Sequence, residues 1–109
     1  MATNTFTRYV AKNVGTTPVV LVTAASSTQT TVIGLTAANT TTAPITVDAY
    51  VTASATNYYV VKGATVPVGS SLALFGADGK IVLNTGDAFT VVASSATSAD
   101  VILSCLQIS

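Results

Sequence analysis

The clearest indication of the fold comes from residues 101–108, which read Val101-Ile-Leu-Ser-Cys-Leu-Gln-Ile108. Side chains of a β-strand alternate between its two faces. One face would hold Val101, Leu103 and Cys105, and the opposite face mainly Ile102, Leu106 and Ile108. Because both faces are apolar, both should be shielded from water. The segment therefore predicts either a central strand of a sandwich or a strand whose outer face is covered by another subunit.

The rest of the chain favours strands as well. Val, Thr and Ile are abundant, while Glu is absent and Met occurs once, so helix-favouring residues are scarce. Turn residues recur about every 8–12 residues, as is typical of β-sandwiches and barrels. The predicted strands are residues 6–14, 19–23, 30–38, 45–52, 58–61, 71–75, 80–83, 88–93 and 101–108.

Two of these strands predict a core face directly. Alternation within residues 30–38 places Ile33, Leu35 and Ala37 together on the core side. Residues 45–52 alternate more regularly, with Ile45, Val47, Ala49 and Val51 on one face. The dipeptide Asp78-Gly79 predicts a tight hairpin turn between the strands at 71–75 and 80–83.

These patterns predict an all-β protein, an antiparallel β-sandwich of about 8–9 short strands with jelly-roll or immunoglobulin-like topology. The length of 109 residues fits a single domain over residues 1–109. Residues 1–7 are a candidate N-terminal arm, because the first strand carries Arg8 and Lys12 among apolar side chains and resembles an edge strand.

Composition excludes several classes of function. The chain has four basic and four acidic residues, a formal net charge of zero and a mean hydropathy of +0.64. Scattered basic residues make no patch for nucleic acid. No apolar run reaches the length of a membrane-spanning helix, and the N-terminal residues lack the pattern of a secretory signal. We therefore expect no nucleic-acid or membrane partner, and synthesis in the cytoplasm.

The residues needed for catalysis or metal binding are scarce. The sequence has no His and a single Cys, so a nucleophile–base pair and a transition-metal site both lack their usual residues. Cys105 lies among apolar residues and is expected to be a buried structural thiol. Asp78 and Asp87 flank neighbouring turns, which explains them more simply than a calcium site. The sequence thus predicts no enzyme, no metal and no cofactor.

The aromatic residues leave two interpretations open. Tyr58 and Tyr59 are adjacent, so on a strand one should face the core and the other the surface. An exposed Tyr serves equally well as a contact residue or as ordinary cross-strand packing.

Several segments together resemble a family of small virion proteins of tailed bacteriophages. They are residues 9–17, 31–40, 66–72, 81–89 and 98–104, which begin Tyr9-Val-Ala-Lys, Thr31-Val-Ile-Gly, Val66-Pro-Val-Gly, Ile81-Val-Leu-Asn and Ser98-Ala-Asp-Val. Each segment alone is a sequence common in strands and turns. The resemblance depends on the order and spacing of the segments, which together span nearly the whole chain. It implies a non-enzymatic virion protein present in many copies.

The expected function is that of a capsid decoration or cement protein that oligomerises, with a trimer favoured, and binds the major capsid protein or other virion proteins. A neck, collar or tail adaptor is the alternative within the virion, and a carbohydrate-binding sandwich is a further alternative. The candidate interface residues are Phe6, Tyr9, Tyr59, Ile102 and Ile108.

Overall fold

The computed structural model describes residues 4–73 and 80–108 of the chain, and the described residues form nine β-strands and no helix. None of them therefore belongs to a helix long and apolar enough to cross a membrane. The strands are β1 (Asn4–Val14), β2 (Val19–Thr23), β3 (Gln29–Asn39), β4 (Ile45–Ala53), β5 (Thr56–Val66), β6 (Ser71–Ala73), β7 (Ile81–Leu83), β8 (Ala88–Ala93) and β9 (Ala99–Ile108).

The strands form two antiparallel sheets, which confirms the predicted β-sandwich. Sheet A has the order β1–β9–β3, and the far side of β3 is shared by β6 and β7, which pair with its two ends. Sheet B has the order β2–β8–β4–β5. The first strand thus pairs with the last, β2 with β8, β3 with β6 and β7, and β4 with β5. This nesting is the jelly-roll arrangement, so the immunoglobulin-like alternative does not apply.

The core lies between the inner faces of the two sheets. Leu103 and Cys105 of β9 are fully buried, as are Leu83 of β7 and Phe89 and Val91 of β8. The predicted core face of β4 is confirmed, since Ile45, Val47 and Ala49 are buried. The two inner faces together enclose a single layer of apolar side chains, and the burial of this layer is the main source of stability in such a fold.

The prediction that Ile33 shares the core face with Leu35 and Ala37 is wrong. The register of β3 against β9 shifts between Val32 and Gly34, so Ile33 is an extra residue in its strand. Such a bulge reverses the alternation on one side of it. Val32 is consequently buried, and Ile33 is exposed.

The edge strand β5 also departs from its prediction. It spans Thr56–Val66, whereas the sequence predicted a strand over 58–61 only. Tyr58 and Tyr59 point to opposite faces of β5 and both are exposed, so the expectation that one of them lies in the core is wrong. The predicted turn at Asp78-Gly79 and the end of the predicted strand 71–75 lie outside the described residues.

Candidate assembly surface

The outer face of sheet A carries an apolar surface that extends across four neighbouring strands, β1, β9, β3 and β7. Phe6 of β1 lies opposite Leu106 of β9, which lies opposite Thr31 of β3, and Val82 of β7 follows in the same row. Four residues later along β1, Val10 lies opposite Ile102. We call the surface formed by Phe6, Val10, Val82, Ile102 and Leu106 the β9 face.

The alternation within β9 creates this surface. Residues Val101, Leu103 and Cys105 point inward and are buried, so the residues between them must point outward. Ile102 is 50% exposed and Phe6 is 76% exposed, although both are large and apolar. The interpretation of β9 as a central strand is confirmed, because it lies between β1 and β3. Its outer face is open among the described residues, and the cover by another subunit stays a prediction.

Charge is sparse on the β9 face. Arg8 lies between Phe6 and Val10 on the outer side of β1, opposite Ser104, which in turn lies opposite Gly34. A Cβ atom added at Gly34 would meet no heavy atom within 4 Å. The row of small residues beside Arg8 is therefore a shallow trough between two apolar rows, and a matching surface could fill it without displacing backbone.

One ion pair marks the border of this surface. The Lys12 ammonium lies 3.6 Å from the Asp100 carboxylate, and the Lys12 side chain is largely exposed. An exposed pair of this kind contributes little to stability because water and salt screen it.

The structure places the candidate interface residues in three different environments. Phe6 and Ile102 lie on the β9 face, and Ile108 lies half-buried at its end, in the row of Asn4 and Gln29. Tyr9 points to the inner side of β1, where its hydroxyl accepts a hydrogen bond of 2.8 Å from the Gln107 amide. The structure thus brings Phe6 and Ile102 onto one surface and separates them from Tyr9.

Tyr59 lies on the outer face of the other sheet. Its ring centroid is 5.0 Å from that of Tyr50, with the two planes inclined by 50°. The Lys62 ammonium lies 4.5 Å above the Tyr59 ring. Sugar-binding aromatic residues present a free, flat face for stacking, but a cation already covers this ring and its neighbour is tilted away.

Sequence reasoning did not single out Val10 and Val82 as contact residues. Val10 lies four residues after Phe6 in β1, and the alternation of side chains along a strand places both residues on the same face. Val82 could not be found this way, because β7 is only three residues long and its partner strand is distant in sequence.

No site for catalysis or for a metal ion is apparent in the described part of the chain. It contains no pocket and no group of three or more acidic or cysteine side chains. Burial raises the pKa of the Cys105 thiol, because the low-dielectric core disfavours the thiolate. Asp87 accepts a 3.0 Å hydrogen bond from the Asn84 backbone amide, which is the turn role predicted for it. Asp78 lies outside the described residues.

Comparison with known proteins reveals a likeness in fold. No protein-family model and no curated protein sequence matches the chain. Among solved structures, the chain is similar to a protein of the Bacillus endospore appendages, which form a novel family of disulfide-linked pili. The identity is 17% and the TM-score 0.53, over 98% of this chain and 85% of the appendage chain. At this level of identity the likeness shows a shared fold alone.

Proposed function

We propose that the protein is a non-enzymatic structural subunit that associates with copies of itself and with a larger assembly through the β9 face. The observation that supports this most directly is the exposure of three large apolar side chains on the outer face of one sheet, with Val10 directly opposite Ile102 and Phe6 four residues before Val10 on β1. Contiguous apolar surface of this kind marks interaction sites on soluble proteins, because water is released when it is covered.

The charge distribution favours the same function. Arg8 is the charged side chain within the β9 face, while Lys12 and Asp100 at its border already pair with each other. Covering the face would therefore desolvate one charge within it, that of Arg8, and a hydrogen-bonding or acidic group of the partner would have to offset this penalty. The zero net charge of the chain also gives copies little electrostatic reason to repel one another.

The assembly that fits the sequence best is the virion of a tailed bacteriophage. The resemblance to small phage virion proteins supports a role as a capsid decoration or cement protein, forming a homo-oligomer, with a trimer favoured, on the major capsid protein. Contacts repeated by symmetry would give firm attachment even where each is weak, since neighbouring contacts raise the effective concentration.

The protein of similar fold belongs to endospore appendages described as pili, and a role as a subunit of an assembly agrees with that likeness. The pili of that family are disulfide-linked. Here the chain has one cysteine, and Cys105 is fully buried. Association through the β9 face is accordingly non-covalent in this proposal.

Analytical ultracentrifugation of the purified chain over a wide concentration range tests the self-association. A defined oligomer that dissociates on dilution is expected, and its stoichiometry would show whether it is a trimer. A chain that stays monomeric at the highest concentrations would contradict the proposal. Quantitative mass spectrometry of purified particles then gives the copy number, which is far higher for a shell decoration than for a neck or tail ring.

A further inference from the structure

The first strand is held to the domain on one side only. From Asn4 to Ala11, β1 pairs with β9 in one unbroken register, and no strand of the described residues pairs with its other edge. In sheet B the nearest strand is β2, which has only five residues against the eleven of β1. Thr5 is therefore exposed and Thr7 half-buried, although both point to the inner side of the sheet.

Few side-chain contacts fix β1 in place. Tyr9 accepts the hydrogen bond from Gln107, and Asp100 accepts one of 3.1 Å from the Asn13 backbone amide in addition to its ion pair with Lys12. The two Asp100 contacts are exposed, so water competes with both. The outward side chains of β1 bury little surface against the rest of the domain.

The strand joins the domain at a well-defined anchor. Val14 is buried, and its carbonyl accepts hydrogen bonds from the backbone amide and the hydroxyl of Ser98 at 3.0 and 3.3 Å. Asn13, the residue before it, has a φ of 57°, and the register with β9 shifts between Ala11 and Val14. The regular strand therefore ends just before the anchor, and rotation at Asn13 would release residues 4–12 while Val14 stays in the core. The release would give up the packing of Tyr9 and Ala11 against the core, which an exchanged strand would restore.

We propose that β1 exchanges between copies, so that β1 of one copy pairs with β9 of a second copy in the register seen within one chain. The edge of β9 is complementary to β1 along its whole length, and an exchanged strand would remake every contact that it leaves. The inference rests on the proposed function for bringing copies together, and it identifies a second copy of this chain as the partner of that edge.

The register supplies a specific test, because Thr7 of β1 lies directly opposite Cys105 of β9. Directly opposed residues of antiparallel strands lie about 4.5–5.5 Å apart between Cα atoms, within the range that a disulfide spans. One chain would carry Thr7→Cys together with Cys105→Ala, and the other, lengthened by a tag, would keep the native sequence. Each chain then has one cysteine, so oxidation of the pair can join only different chains at this position.

The mixture would be unfolded, refolded together at high concentration, oxidised with diamide and analysed on a non-reducing gel. Strand exchange predicts a disulfide-linked heterodimer. Its yield should exceed by roughly tenfold or more the yield obtained with a control chain that carries Thr42→Cys together with Cys105→Ala. Thr42 is exposed in the loop between β3 and β4 and is not paired with Cys105 in the sheet register. Because Cys105 is fully buried, random collision should not link it to a surface thiol.

The single variant Thr7→Cys, which keeps Cys105, reports whether β1 still pairs with β9 in the substituted chain. An internal disulfide in this variant, combined with no heterodimer above the control, would overturn strand exchange. Isotope-filtered NMR on mixed labelled and unlabelled native chains gives the answer without substitution, through contacts between Thr7 and Cys105 of different chains or of the same chain only. Oligomers in the ultracentrifuge without interchain contacts would refute exchange and leave the proposed function standing, whereas a persistent monomer would refute the proposed function.

Discussion

Val10 of β1 and Ile102 of β9 lie directly opposite each other on the outer side of sheet A, and their side chains are 60% and 50% exposed. Two β-branched side chains placed this way normally pack against a covering layer. In the described part of the chain no element provides that layer. The pair therefore marks the centre of the surface through which we expect copies to associate.

The substitution Ile102→Ser should weaken self-association with little effect on folding. Removing an apolar side chain buried at the contact costs roughly 1 kcal/mol per copy, which lowers the association constant about tenfold or more. Sedimentation equilibrium measures the association, and urea denaturation at low concentration measures the stability. Val20→Ser is a matched control, since Val20 is 57% exposed on β2 of the other sheet. Equal weakening by both variants would show that the β9 face has no special role.

The substitution Thr30→Val should stabilise the domain. The Thr30 hydroxyl is fully buried and has no hydrogen-bond partner among the described residues. A buried hydroxyl without a partner forfeits its bonds to water, so replacing it with a methyl group should raise the free energy of unfolding by about 1 kcal/mol. Thr31→Val, half-buried on the opposite face, controls for strand propensity. A loss of stability in Thr30→Val would mean that the hydroxyl is hydrogen-bonded after all.

Asn39 is expected to be the polar residue most sensitive to a conservative change. Its side-chain amide donates to the carbonyls of Ala43 and Val66 at 2.8 and 3.0 Å, and its side-chain oxygen accepts from Thr41. Asn39→Asp removes both donors and places a charge in a buried position, so we expect the free energy of unfolding to fall by about 3 kcal/mol.

Asn57→Asp is the control for this change. Asn57 is exposed, and its side-chain oxygen accepts a hydrogen bond from the Thr52 hydroxyl that a carboxylate would also accept. We expect a change below about 0.5 kcal/mol here. Chemical denaturation compares the two variants, and similar losses for both would contradict a specific role for Asn39.

The stability of the domain should fall at alkaline pH because of Cys105. Burial raises the pKa of its thiol in the folded state, so the unfolded chain ionises first as the pH rises. The stabilising contribution is complete below the ordinary thiol pKa of about 8.5 and is lost as the pH rises towards the folded value. Denaturation midpoints between neutral pH and pH 10 should therefore decline more steeply for the native protein than for Cys105→Ala. Parallel declines would show that the thiol does not contribute.

The sequence predicted most of the strands, because alternation and turn residues are local signals. It also separated the two faces of β9 correctly, which places Ile102 on the outer face opposite the buried Val101, Leu103 and Cys105. The bulge at Ile33 was not predictable, since it depends on pairing with a strand distant in sequence. The tight turn between β4 and β5 was missed as well, because Ser54 and Ala55 both adopt positive φ without the Gly or Asn that usually signals such a turn.

The candidate surface was predicted only in part for a related reason. Its residues come from β1, β7 and β9, and their meeting is set by the jelly-roll pairing of the first and last strands rather than by any local pattern. Tyr9 illustrates the difference, since its residue type suits a contact while its parity in β1 turns it inward towards Gln107.

Hydroxyl-radical footprinting of the native protein in its dilute and assembled states would test the β9 face most directly. Radicals label exposed aromatic and aliphatic side chains, so the labelling of each residue reports its contact with water. The account predicts that Phe6 and Ile102 lose most of their labelling on assembly, while Tyr58 and Tyr59 on β5 keep theirs. Undiminished labelling of Phe6 and Ile102 in the assembled state, or protection confined to β5, would contradict it.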